Sequence, residues 1–217
     1  MRSLGRISRA FVIAVVLVAC SGTSQNTSTT GLVADAGADI PADWITYIDE
    51  TAGFSLSYPS DWEVFALDEA ATADLLAGIE DAIPGIAMAA IPFQAGFPIP
   101  AGYDPNVTVT VEVLPSDEIG VDLYTEMNIQ AIGTALPSYS VNKEIKTVVG
   151  GQEAVLVFGS YLRSEVDPSL DDRWWLIQLL TVDELAGWGV SCGQSAAVEP
   201  DLDECEAVVR TFELSSG

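Results

Sequence analysis

The sequence predicts an α+β fold in which helices pack on an antiparallel β-sheet. Several short segments alternate apolar and polar residues, a pattern typical of strands that bury one face. Most of these segments follow one another through turns rich in Gly, Pro and Asp, which predicts hairpins. The helical patterns fall between groups of strands. Together these features indicate an antiparallel sheet covered by helices.

The clearest predicted strand contains Val107, Val109, Val111 and Val113, which alternate with polar residues. Residues 62–65 are predicted to return against residues 54–58 as a hairpin, because Pro59 and the Ser60-Asp61 turn separate them. Residues 154–161 are apolar on both faces, so this strand is expected to lie in the centre of the sheet. The other predicted strands are residues 44–48, 141–149, 174–181 and 187–192.

Three helices are predicted, at residues 68–80, 117–135 and 200–210. In the second of them Leu123, Met127 and Ala131 recur at helical spacing, with Tyr124 alongside. We expect this face of the helix to contribute to the core rather than to a binding groove.

Residues 83–104 form a proline-rich segment that also carries large apolar residues. The repeated prolines exclude a long helix and a central strand, so a long loop is expected here. Such a loop either folds back over the core or presents apolar side chains to a partner. The candidate partner-binding residues are Phe93, Phe97 and Ile99.

The N-terminus has the layout of an export signal, with Arg2, Arg6 and Arg9 followed by apolar residues 10–19. This run is too short to span a bilayer, which requires about 20 apolar residues. The segment Leu17-Val18-Ala19-Cys20 resembles the lipobox of bacterial lipoproteins. The resemblance implies cleavage before Cys20 and attachment of a diacylglyceryl group to its sulfur. The alternative is an ordinary secretory signal that is cut further on.

These features divide the chain into a lipoprotein signal peptide at residues 1–19, a lipidated tether at residues 20–43 and a globular domain at residues 44–217. The tether is rich in Ser and Thr and ends in acidic residues, so it has little to bury and is expected to be flexible. Two acyl chains hold a protein stably on a membrane. We therefore expect the domain at the extracytoplasmic face of the bacterial cell membrane.

The charge balance excludes several classes of protein. Removal of residues 1–19 takes away three of the eight basic residues and none of the 32 acidic ones, which leaves a net charge of −27. Such a chain repels phosphate backbones and anionic headgroups, so nucleic-acid binding is not expected. The sequence contains no histidine, which removes Ser-His-Asp catalysis and the commonest transition-metal ligand.

Cys192 and Cys205 remain once Cys20 is lipidated, and an even pair in an exported protein indicates a disulfide. The chain-entropy estimate assigns such a short closed loop about 3 kcal/mol of stabilisation. Free thiols are the alternative. Two thiolates without histidine do not complete a zinc site.

No metal or cofactor is predicted. Two groups of acids could in principle bind calcium, but neither has the spacing and glycine of a calcium-binding loop. The first group is Asp167, Asp171 and Asp172; the second is Glu199, Asp201, Asp203, Glu204 and Glu206.

Two motifs near the start of the domain carry a family resemblance. Tyr47-Ile48-Asp49 and the segment GFSLSYPSDW at residues 53–62 resemble the opening of the PsbP-like superfamily. Residues 150–154 and 208–212 fit the same pattern. The resemblance implies an α/β/α sandwich around an antiparallel sheet and a non-enzymatic, protein-binding tendency. It transfers no catalytic residue.

The sequence thus predicts a membrane-anchored lipoprotein that acts as a non-enzymatic binding or accessory module of the cell envelope. The expected partner is an envelope protein or a small hydrophobic ligand. Two alternatives stay open, a carboxylate-based envelope hydrolase and a lipid carrier. The first would show a cleft with two converging acids, and the second an apolar cavity beneath the proline-rich segment.

Overall fold

The computed structural model of the chain describes residues 33–34, 40–65, 87–100 and 102–215, and side chains from residue 40 onward in these ranges except residues 87–89. The helices in these ranges are α1 (Val121–Ala135) and α2 (Asp203–Arg210), and a short 3-10 helix spans Arg163–Glu165. The strands are β1 (Val33–Ala34), β2 (Ile45–Asp49), β3 (Phe54–Tyr58), β4 (Glu63–Val64), β5 (Ala87–Ile99), β6 (Gly102–Val113), β7 (Ser140–Val149), β8 (Gln152–Leu162), β9 (Arg173–Asp183), β10 (Ala186–Ala196) and β11 (Glu213–Leu214).

The strands form two sheets. The larger sheet has eight strands in the order β1-β7-β8-β9-β10-β6-β5-β4, and the smaller has the order β11-β3-β2. Every neighbouring pair is antiparallel except β1 and β7, which pair in parallel. The predicted α+β class with an antiparallel sheet is therefore confirmed.

The large sheet is buried on both faces, and β8 shows this most directly. Ala154 and Leu156 belong to one hydrophobic cluster, whereas Val155 and Val157 belong to another. Because successive side chains of a strand point to opposite faces, the two clusters lie on opposite sides of the sheet. The predicted central position of this strand is confirmed, since β8 lies between β7 and β9.

The larger cluster joins the sheet to the small sheet and to α2. Its centre contains the rings of Phe54, Trp188 and Phe212, whose centroids lie 5.8 Å apart in each pair. Val208 and Val209 of α2 pack into the same cluster. The second cluster lies under α1 and includes Tyr124. The two helices therefore cover opposite faces of the large sheet, which is the layering of an α/β/α sandwich.

The predicted disulfide is present between Cys192 of β10 and Cys205 of α2, with the two Cα atoms 5.2 Å apart. Both cysteines are buried in the larger cluster. The bond therefore ties the closing helix to the face of the sheet that it covers.

Two expectations about the strands were wrong. Residues 63–64 form β4, but this strand pairs with β5 rather than with β3. The turn in which the Trp62 amide donates to the Pro59 carbonyl, together with the burial of Trp62, carries the chain from the small sheet to the large one.

The described part of the proline-rich segment is not a loop, because residues 87–99 form β5. This strand lies next to the short edge strand β4, and its pairing with β6 shifts register between Ala90 and Phe93 and between Gly96 and Pro98. Pro92 and Pro98 fall at these irregularities. Proline, which lacks a backbone N–H group, is tolerated there, since no regular ladder hydrogen bond is lost.

The predicted helix at residues 117–135 begins later, at Val121, because the Ser116 hydroxyl accepts from the Glu118 amide in a preceding turn. Leu123 of its expected core face is 47% exposed, whereas Tyr124 and Ala131 are buried. The predicted closing helix begins at Asp203. The predicted helix at residues 68–80, the signal peptide and Cys20 lie outside the described residues.

Candidate functional site

The end of the β5–β6 hairpin and the adjoining strand β4 present three large apolar side chains to solvent. Ile99 pairs with Gly102 at the end of the ladder, and Val64 of β4 pairs with Ala95 beside it. The exposed fractions are 53% for Val64, 40% for Phe97 and 38% for Ile99. We refer to Val64, Phe97 and Ile99 as the hairpin tip.

The neighbouring residues hold the hairpin tip on the body of the sheet. A Cβ atom at position 96 would lie 2.8 Å from the Cβ atoms of Asn106 and Tyr103. The approach of β5 to β6 at this position therefore requires glycine. The ring of Phe65 stacks on that of Tyr103 with centroids 3.9 Å apart, which attaches the chain after β4 to β6. The Asn106 side-chain amide donates to the Tyr103 carbonyl. The hairpin tip is therefore a supported surface.

Phe93, which was predicted with Phe97 and Ile99 as a partner-binding residue, is a core residue instead. It is 3% exposed, and its ring lies 4.4 Å from that of Tyr47 and 5.5 Å from that of Tyr58, centroid to centroid. Phe93 points into the core because it follows the register shift at Pro92 and lies opposite Val109, which is also buried. The candidate contact residues are therefore reduced to Phe97 and Ile99, with Val64 added.

Phe97 differs from the other aromatic residues of the described ranges. Within these ranges, it is the one Phe, Trp or Tyr side chain that is exposed; the others are buried or half-buried. Aromatic side chains are enriched in the centres of protein interfaces, because they bury a large area with few rotatable bonds. The hairpin tip therefore has the composition of a contact surface.

A group of buried polar side chains lies between α1 and the large sheet, and the sequence did not reveal it. Glu112 of β6 is buried, and burial raises the pKa of its carboxyl group to about 7, although the nearby Tyr124 hydroxyl lowers that pKa. Burial raises the pKa of Tyr124 as well, and the nearby Glu112 charge raises it further. Glu112 alternates with the valines of β6, a pattern that by itself is typical of a solvent face, but α1 covers this part of that face.

Several polar side chains of α1 reach this interface without a hydrogen-bond partner. The atoms concerned are the Tyr124 and Thr125 hydroxyls and the Asn128 side-chain nitrogen. The nearby Asn128 amide lowers the pKa of the Tyr124 hydroxyl, although the geometry of the two groups falls short of a full hydrogen bond. Buried polar groups of this kind are usually satisfied by ordered water.

The acids considered for calcium binding have local roles. Asp172 forms an ion pair with Arg163 at 3.1 Å, and Asp167 accepts hydrogen bonds from the amide and hydroxyl of Ser169. In α2, Glu206 forms an ion pair with Arg210 at 2.8 Å. Across the described ranges, no three Cys, Asp or Glu side chains are grouped to bind a metal ion.

Comparison with known proteins identifies the fold. No protein-family model and no curated protein sequence match the chain. Among solved structures, the cyanobacterial PsbP protein CyanoP from Synechocystis is similar over 83% of this chain and 97% of that one, with a TM-score of 0.52 and 15% identity. LpqN from Mycobacterium tuberculosis, a protein involved in cell envelope biogenesis, matches 80% of this chain and 91% of its own, with a TM-score of 0.47 and 13% identity.

The described helices are all too short or too polar to cross a membrane. The antiparallel sheet, the helices on its two faces and the similarity to CyanoP agree with the motifs at residues 47–49 and 53–62. The chain therefore has the PsbP-like fold.

Proposed function

We propose that the protein is an accessory binding module of the bacterial cell envelope, held at the outer face of the cytoplasmic membrane by a lipid on Cys20. The hairpin tip is the surface through which it contacts its partner. The observation that carries this proposal is the exposure of Phe97, beside Ile99 and Val64, in a domain whose other described aromatic side chains are buried or half-buried.

The anchor is supported by the sequence alone. Basic residues, a short apolar run and a cysteine after a small residue stand in the order that lipoprotein signals require. Two acyl chains would hold the protein stably, and the polar tether would separate the acidic domain from the lipid.

The anchor is tested by intact-mass analysis of the membrane-extracted protein. We expect a mature chain that begins at Cys20 and carries the mass of a diacylglyceryl group. In the Cys20→Ser variant, we expect release into the soluble fraction or accumulation of the unprocessed precursor. An unmodified mature chain that begins downstream of Cys20 would contradict the proposed anchor.

The contact surface is tested by copurification from cross-linked cells. The double variant Phe97→Ser, Ile99→Ser should lose partners that the wild-type protein retains. Leu123→Ser is the matched control, because Leu123 is similarly exposed but lies on α1. Partners lost to the same extent from both variants, or from neither, would contradict a role for the hairpin tip.

A further inference from the structure

The basic residues of the chain are distributed unevenly. Residues 10–142 contain no Lys or Arg, and this stretch includes β2 to β6 and α1. The basic residues of the domain are Lys143 and Lys146 on β7, Arg163 after β8, Arg173 on β9 and Arg210 on α2. Since β7 lies near one end of the large sheet and β4 at the other, the end that carries the hairpin tip has no basic residue on its strands.

These basic side chains already have local partners. Lys146, Arg163 and Arg210 form ion pairs with Asp122, Asp172 and Glu206. Arg173 donates hydrogen bonds to Ser160 and to the Ser138 carbonyl. Lys143 lies over the ring of Phe158 at 5.1 Å. Apart from Arg210, whose charge is paired with Glu206 on α2, the positive charge is therefore held on or beside strands that are distant in strand order from the hairpin tip.

Among the described residues, no ion pair compensates the acids beside the hairpin tip. Asp61 and Glu63 flank the buried Trp62 at the entrance to β4, and both are exposed. Glu204 of α2 lies close enough to Asp61 for this carboxylate to raise its pKa, after the larger effect of burial. Two neighbouring carboxylates repel each other, and a bound cation relieves that repulsion. Asp61, Glu63 and Glu204 are called the acidic rim.

An exposed apolar patch beside exposed acids restricts the occupants that fit it. A second copy of this chain has a net charge of −24 in the full sequence and would meet the acidic rim with like charge. An anionic lipid surface is repelled for the same reason. A polypeptide that presents apolar side chains flanked by Lys or Arg satisfies both the hairpin tip and the acidic rim.

We infer that the hairpin tip and the acidic rim together bind a lysine- or arginine-rich amphipathic segment of a partner protein. This inference rests on the proposed function and adds the chemistry of the partner. Apolar side chains of the segment cover Phe97, Ile99 and Val64, while its cations contact the acidic rim. Electrostatic attraction of this kind speeds association and makes the affinity dependent on salt.

The inference is tested with a fluorescent amphipathic peptide of leucine and lysine, titrated with the mature chain carrying Cys20→Ser. We expect saturable binding that weakens as salt rises. The double variant Phe97→Ser, Ile99→Ser should weaken binding by about tenfold, because the two half-exposed anchors together contribute of the order of the 1.4 kcal/mol that equals a factor of ten. The double variant Asp61→Asn, Glu63→Gln should weaken binding and reduce its salt dependence. Leu123→Ser is the matched control.

Three results would overturn the inference. Absence of binding at low salt excludes a basic partner, and equal binding of a peptide with glutamate in place of lysine excludes the acidic rim. Equal binding of the wild-type protein and the Phe97→Ser, Ile99→Ser variant shows that general acidity alone attracts the peptide. If cellular partners depend on the hairpin tip but the peptide does not bind, the proposed function stands and this inference fails.

Discussion

Glu112 on β6 and Tyr124 on α1 meet inside the interface between the helix and the large sheet. Glu112 pairs across the ladder with Gly187 of β10, and the ring of Tyr124 lies directly over that glycine. The Tyr124 hydroxyl therefore lies beside the buried carboxyl group. Tyr124 lowers the pKa of Glu112, and Glu112 raises the pKa of Tyr124. A titrating acid is thus enclosed in one of the two cores of the domain.

The stability of the domain should decrease as pH rises through the titration of Glu112. Folding raises the pKa of this carboxyl from 4.5 to about 7, so the folded state keeps a proton that the unfolded chain releases in this interval. The free energy of unfolding therefore falls between these pH values, by about 3 kcal/mol at most. Glu112→Gln should remove this decrease and be more stable than the wild-type protein at pH 8. Urea unfolding at pH 5 and pH 8 measures both quantities.

The control for Glu112 is Glu118→Gln, which removes an exposed charge from the loop before α1. Mutual repulsion among the surface acids also lowers stability as pH rises, and Glu118→Gln changes only that contribution. A pH dependence of Glu112→Gln equal to that of Glu118→Gln would contradict the burial of a titrating carboxyl at position 112.

The contact between Gly187 and Tyr124 predicts opposite effects of one substitution at two positions. In Gly187→Ala, the new Cβ atom would lie 2.6 Å from two ring carbons of Tyr124, so the free energy of unfolding should fall by about 1–3 kcal/mol. In Gly133→Ala, the Cβ atom meets nothing within 4 Å on α1, and stability should rise by about 0.5–1 kcal/mol. Thermal unfolding compares the two variants.

A double-mutant cycle identifies the cause of the Gly187 effect. Replacing Tyr124 by Leu shortens the side chain above Gly187, so Gly187→Ala should cost less in the Tyr124→Leu background than in the wild-type protein. Equal costs in both backgrounds would show that the ring of Tyr124 does not occupy the space above Gly187.

Much of the fold could be predicted because local patterns determine it. Alternation identified β6, and a segment that is apolar on both faces identified the burial of β8. The pair of cysteines identified the disulfide. Pairing between distant segments could not be predicted in the same way. Residues 62–65 have no sequence signal that favours β5 over β3, since the choice depends on the packing of Trp62 in the core.

Only part of the candidate site could be predicted, because strand pairing decides which side chains are exposed. Phe93 and Phe97 stand in similar proline-rich surroundings, so the sequence does not distinguish them. The register shift at Pro92 and the pairing with buried Val109 turn Phe93 inward, while Phe97 lies near the end of the ladder. The proline-rich segment was expected to be a loop, because the bulges that accommodate proline in a strand leave no local pattern.

The positions of Phe93 and Phe97 predict different stabilities for two alanine variants. Phe93→Ala removes a buried ring and should lower the free energy of unfolding by about 3–5 kcal/mol. Phe97→Ala removes an exposed side chain and should change stability by less than about 0.5 kcal/mol. Chemical unfolding at constant pH measures both values. Similar losses in the two variants would contradict the assignment of Phe97 to the surface.

The disulfide should contribute measurably to stability. Reduction of the wild-type protein should lower the free energy of unfolding by about 3 kcal/mol, because Cys192 and Cys205 close a loop between β10 and α2. The double variant Cys192→Ala, Cys205→Ala should resemble the reduced protein and be insensitive to reductant. Free thiols that react with an alkylating agent in the unfolded, unreduced protein would contradict the bond.

Site-specific photo-cross-linking in intact cells tests the central claim most directly. A photoreactive phenylalanine analogue is placed at position 97 in the full-length chain, and the same analogue at position 123 on α1 serves as the control. We predict a discrete cross-linked product from position 97 that is absent from position 123. Identical product patterns from the two positions, or no product from position 97, would contradict the claim that the hairpin tip contacts a partner.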